Sequence, residues 1–169
     1  MIRTFAFAAA LATGTAAVAA GPTDPQIAHI AYTAGQIDIA AGKQALARSH
    51  DKRVRAFAQE MVRDHQAVND KALALVKKLH VTPQANPTSA ALSKGAAAKL
   101  KELGRLHGRA FDRAYVRNEV AYHRTVNGAL KDTLIPSASN AELKSLLETG
   151  LTLFTEHQKH AEHVAAELR

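Results

Sequence analysis

The chain reads as all-α, a ferritin-like four-helix bundle with a long connection between its second and third helices. Three observations predict this. Apolar residues recur at three- and four-residue steps in four separate segments, each long enough for a helix. Ala and Leu abound while aromatic residues make up 5%, a balance that suits close-packed helices better than sheet. Proline-containing breaks fall between the periodic segments, at Pro83 and Pro87 and again at Pro136.

The first twenty residues stand apart from that pattern. Arg3 gives a positive start, Phe5 to Val18 form an Ala-rich apolar run, and Ala17-Val18-Ala19-Ala20 offers small-residue cleavage positions. Residues 1–20 are therefore expected to be a cleaved signal peptide, with the exported chain starting at Ala20 or Gly21. A retained anchor helix is the weaker reading, since a spanning helix needs about 20 apolar residues. No later segment has that character, so the processed protein is expected to be soluble in the periplasm or cell envelope. Residues 21–169 then form one domain, a length that supports a single core. With no Cys in the chain, neither disulfides nor a bacterial lipid anchor at cysteine is available.

The first helix starts at Asp24-Pro25, with proline where a helix tolerates it, and Ile27, Ile30, Ala34, Ile37, Ala41 and Ala45 mark its apolar stripe. It ends near Ser49-His50. Asp51 caps the second helix, whose stripe Val54, Ala58, Met61, His65, Val68, Ala72, Leu75 and Leu79 alternates steps of four and three. Pro83 and Pro87, amid Thr, Asn and Ser, break helix continuity between His80 and Ser93 and predict the long connection. A short helix should precede Gly104, and the third long helix should run from about Arg109 to Lys131. Pro136 to Asn140 is a turn and cap, and the last helix follows on Leu143, Leu147, Gly150, Phe154, His157, Ala161, Val164 and Leu168. Gly150 is a candidate kink, and Leu75 and Phe154 are expected in the core.

Charged and polar residues interrupt these stripes, and they carry the chemical information. His65 and His157 occupy core positions of the second and fourth long helices. Asp38 falls at the edge of the buried face of the first, and His123 shares a face with Val116, Glu119, Val126 and Leu130 on the third. MVRDHQAVN around His65 also resembles EVAYHRTVN around His123, and VRAFAQEMVRDH more faintly resembles LKSLLETGLTLFTEH with a three-residue offset; if the two hairpins are related units, Asp38 pairs with His123 and His65 with His157.

Two readings stay open for this set. A lone core histidine is most simply a neutral side chain hydrogen-bonded within the core, and Asp38 could be its partner. Three imidazoles and a carboxylate from four helices equally suit one transition metal ion: zinc, copper, iron or nickel. A di-iron centre fits less well. Glu60 precedes His65 by five residues and Glu119 precedes His123 by four, so the repeated Glu-x-x-His pairs of such sites are missing. His160 and His163 extend a histidine series from His157, but three-residue steps drift around a helix and place both toward solvent.

The motifs VRAFAQEMVRDH, GRAFDRAY with EVAYH downstream, and LTLFTEH resemble those of a bacterial family known as domain of unknown function 4142. The similarity runs from about Asp24 to Leu168. It implies an exported ferritin-like bundle and brings no activity or catalytic residue. Asp38 stands where the family usually has Glu, and Thr152 where it commonly has Pro.

The formal charge of +7 falls by one once Arg3 leaves. Its Lys and Arg are spread among acids, with no basic run and no interleaved aromatics, so no nucleic-acid partner is expected. Weak association with anionic envelope polymers fits that surface. No phosphate loop or nucleophile motif stands out. The leading expectation is thus a non-enzymatic envelope protein holding a metal through Asp38, His65, His123 and His157. A metal-free structural or stress-related envelope protein is the alternative, and a ferritin-like iron oxidoreductase the third.

Overall fold

A computed structural model describes residues 21–168. The expected signal peptide lies outside the described residues. Helix α1 spans Asp24–Arg48, α2 Lys52–Lys78, α3 Pro87–Leu103 and α4 Gly108–Ala129. A π-helical stretch, Leu130–Leu134, and a last turn, Ile135–Ser137, extend α4, and α5 runs over Ala141–Glu167. The described residues contain no strand, and no helix among them is long and apolar enough to cross a membrane.

The helix ends follow from local chemistry. Asp51 and Asn140 turn their side-chain oxygens onto the first free N–H groups of α2 and α5. Asp24 ties the start of α1 to the start of α5: its carboxylate accepts from the backbone N–H of Ser139 and Asn140 at 2.8 and 2.9 Å. At the opposite end Arg48 donates to the carbonyls of Gly104 and Leu106 at 2.8 and 2.7 Å, closing the loop before α4. The π-helical stretch sits just before Pro136, whose ring and missing N–H disturb the regular ladder behind it.

Two expectations need correction here. The stretch from Thr88 to Ser93 is helix and not connection, because Asn86 caps α3 and Pro87 occupies its first turn, where a missing N–H costs nothing. A 17-residue helix therefore crosses the outside of the bundle and packs on α1 through such contacts as Gln44 Nε2 to the Leu100 carbonyl, 2.9 Å. Leu75, expected in the core, is only half-buried, while α5 runs continuously through Gly150.

The core divides into two layers. Ile27, Ile30, Leu143, Leu147 and Phe154 pack at one end, and Val54, Phe57, Met61, Phe111, Tyr115 and Val164 at the other. The α5 stripe is buried as its spacing predicts, from Leu143 to Leu168. The α2 stripe holds as far as His65. Beyond it Asn69 is buried, and Val68, Ala72, Leu75 and Leu79 are only half-buried. Between the two layers lies a polar one.

Candidate metal centre

Glycine decides how that polar layer forms. Gly35 and Gly42 lie seven residues apart on the face of α1 that meets α2. A Cβ at Gly42 would stand 2.8 Å from Val62 Cγ2 and 3.1 Å from the Ala58 carbonyl oxygen, and one at Gly35 would run into the Asn69 side chain. The two helices therefore approach closely on either side of Asp38. The spacing of α1 placed Asp38 at the edge of the buried face. The close approach puts it fully inside, 1% exposed.

The four residues singled out from the sequence converge. Asp38 Oδ2 lies 3.2 Å from His65 Nε2 and 3.3 Å from His123 Nε2, and the two Nε2 atoms are 3.4 Å apart. His157 joins them, its ring centre 5.4 and 5.5 Å from those of His65 and His123. Ligand atoms of the three imidazoles all fall within 4.8 Å of one another. All four residues are buried.

Glu119 belongs to the same layer. It is 1% exposed, and its Oε2 lies 3.8 Å from His123 Nδ1. The sequence carried a signal for it, an acid one helical turn before His123 on an apolar face. Judging it by Glu-x-x-His spacing alone discarded that signal.

Hydrogen bonds leave this layer incompletely satisfied. His123 Nδ1 lies 3.1 Å from the Glu119 carbonyl oxygen, which only an Nδ1–H can satisfy, so the Nε2 lone pair is left facing Asp38 and His65. Both Asp38 oxygens, His65 Nδ1, His157 Nδ1 and Glu119 Oε2 are buried without a hydrogen-bond partner. His65 Nε2 is near enough to Asp38 to bond but off the line a donor needs. The other nitrogen of His157, Nε2, reaches Asp64 Oδ2 at 3.1 Å.

The charge states follow from burial. Removal from water pulls the His123 imidazole down from 6.5 to about 4, with only partial opposition from the Asp38 carboxylate. Burial lowers His157 as well, aided by His65. Asp38 is the reverse case: burial would raise its carboxyl, but the surrounding imidazoles outweigh it and hold the group below the usual carboxylate range. Burial, followed by repulsion from Asp38, pushes the Glu119 carboxyl well above its usual value. Burial thus favours the neutral imidazoles of His123 and His157 beside the Asp38 carboxylate, the forms in which such groups bind metals.

Phe154 screens the layer on one side, its ring stacked 4.4 Å from that of His65. It also lines an apolar cavity of about 530 Å³ with Ile30, Val68 and Leu147. Toward the surface, His160 departs from expectation. It is half-buried, with Nδ1 2.8 Å from Glu60 Oε2 and its ring edge-on to Phe57. His163 is exposed, as its position predicts.

A helical bundle with a buried carboxylate and histidine layer is the class these observations define. The chain belongs to the family described as Domain of unknown function (DUF4142), which matches residues 8–164. Among solved structures it is similar to a DUF305 protein of Streptomyces coelicolor, described as a candidate secreted protein, with a TM-score of 0.70 and 14% identity. That likeness covers 85% of this chain and 91% of the other, and it shows the fold alone. No curated protein matches the chain.

Proposed function

We propose that this protein is exported to the periplasm or envelope and binds one transition metal ion in its core through Asp38, His65, His123 and His157. A single observation carries the reading: Asp38 Oδ2, His65 Nε2 and His123 Nε2 form a triangle with edges of 3.2, 3.3 and 3.4 Å. Ligands held about 2.0–2.1 Å from a tetrahedral ion stand about 3.3–3.4 Å from each other. The triangle therefore has the dimensions of one face of such a coordination shell. His157 supplies the fourth position through its unpartnered Nδ1, and the contact from its Nε2 to Asp64 is the outer-shell bond that orients a ligating imidazole.

Three imidazoles and one carboxylate in tetrahedral array favour zinc among zinc, copper, iron and nickel. A catalytic ion keeps a position open to water or substrate. In this reading four protein groups would complete the shell within a buried layer, which supports holding an ion over catalysis. Charge on the mixed basic surface supports no more than weak attraction to anionic envelope polymers.

The metal-free structural reading has an observation of its own. The His65 and His123 Nε2 atoms are at hydrogen-bonding distance, so one proton between them could take the metal's place. In that arrangement the neighbouring Glu119 carboxyl, pushed up by burial and by Asp38, would be the group to bond the Asp38 oxygens. An iron oxidoreductase would draw on Glu119, whose ligand atom lies within 4.8 Å of those of Asp38 and His123, but neither acid stands three residues before a histidine as in the paired motifs of di-iron sites.

Metal analysis and thermal melting separate the readings. Protein made without a His-tag should contain about one equivalent of metal, and zinc at a hundredfold excess over Kd should add roughly 2.7 kcal/mol of stability. His65→Gln or His157→Gln should abolish that gain. Metal-free protein whose melting temperature ignores zinc, copper, iron and nickel at neutral pH would establish the structural reading instead.

A further inference from the structure

His157 belongs to two groups of potential ligands. Its inner partners are His65 and His123, and its outer partners are Glu60 and Asp64 on α2, with ligand atoms of each group within 4.8 Å of one another. The inner group is wholly buried, whereas Glu60 and Asp64 are half-buried at the surface. His160 adds a further imidazole to the outer group, with Nδ1 2.8 Å from Glu60 Oε2. His157 itself is 1% exposed, its Nε2 is 3.1 Å from Asp64 Oδ2, and its Nδ1 has no partner.

From this we infer that Glu60, Asp64 and His160 form an outer site for a hydrated divalent cation, which reaches the core through His157. The inference rests on the metal-binding reading above. A buried tetrahedral site needs a path by which an ion sheds its water, and His157 is the residue common to both groups. Two carboxylates attract a cation at the surface, while imidazole nitrogens replace its waters one at a time. His157 can then bind through Nε2 on the outer side while its other nitrogen, Nδ1, serves the inner one. The brake on this route is also visible. Arg63 pairs with both oxygens of Asp64 at 2.7 and 3.1 Å, and its side chain is 71% exposed, so it can swing away into solvent when a cation arrives.

Cobalt(II), added to metal-free protein in a stopped-flow spectrometer, reports both steps, because tetrahedral cobalt absorbs far more strongly than the aqueous ion. The wild-type chain should develop the tetrahedral spectrum. Glu60→Gln with His160→Gln should slow its appearance by about tenfold or more, the scale on which local charge alters cation capture, and leave the final spectrum and stoichiometry unchanged. Arg63→Gln should speed it. Unchanged rates in both variants would overturn the outer route and leave the core site standing. A wild-type chain that never develops the spectrum would overturn the core site itself. Slowing by the double variant together with acceleration by Arg63→Gln also excludes a merely structural effect, since damage to the fold would not act in opposite directions.

Discussion

The convergence of Asp38, His65 and His123 is set by burial as much as by position. His123 titrates near 6.5 when unfolded and at about 4 in the fold, so on acidification the unfolded chain takes the proton first. Without metal, this group leaves stability unaffected above its unfolded value, and stability falls as pH drops from about 6.5 to about 4. The loss is on the order of 3 kcal/mol, and His157, shifted the same way, adds to it. Asp38 works at lower pH: its depressed carboxyl stabilises the fold above the usual value of 3.8, and that support fades only as pH falls below it. Urea melts across this range should show the decline, and His123→Gln should flatten part of it. A curve level from pH 7 to pH 4 would show that these imidazoles are not buried neutral.

At the scale of the helix, the glycines of α1 make the clearest prediction. Gly42→Ala gains about 1 kcal/mol of helix propensity but sets a methyl 3.1 Å from the Ala58 carbonyl oxygen, a backbone atom that cannot give way alone. The clash should win, with a net loss of about 1–3 kcal/mol and a weaker metal site as α1 is pushed from α2. Gly95 on α3 is the control: an added Cβ meets nothing within 4 Å, so Gly95→Ala should stabilise by up to about 1 kcal/mol. Denaturant midpoints of the two variants should move in opposite directions. The boundaries of α2 and α5 were legible because Asp51 and Asn140 are strong caps. The start of α3 was missed because Pro87 reads equally well as a breaker or as a first-turn residue, and only the Asn86 bonds decide between them.

Over the whole molecule, burial is uneven along the bundle. Leu147 is 4% exposed, so Leu147→Ala should cost about 2–5 kcal/mol, whereas half-buried Leu75 should cost about 1–2 kcal/mol when truncated to Ala. Equal losses would mean that α2 packs more deeply than its exposure implies. By itself the sequence determined the all-α class, the four long helices, the caps of α2 and α5 and the histidines at core positions. Each of those depends on periodicity or on groups a few residues apart. Only the tertiary structure decided that α3 packs outside α1, that Asp38 lies at the centre of the bundle, and that Glu119, Glu60 and Asp64 extend the polar layer. These depend on how closely two helices approach. That distance is set by which side chains meet across the interface, here the hydrogens of Gly35 and Gly42 against Asn69 and Val62, and the spacing within one helix carries no record of it.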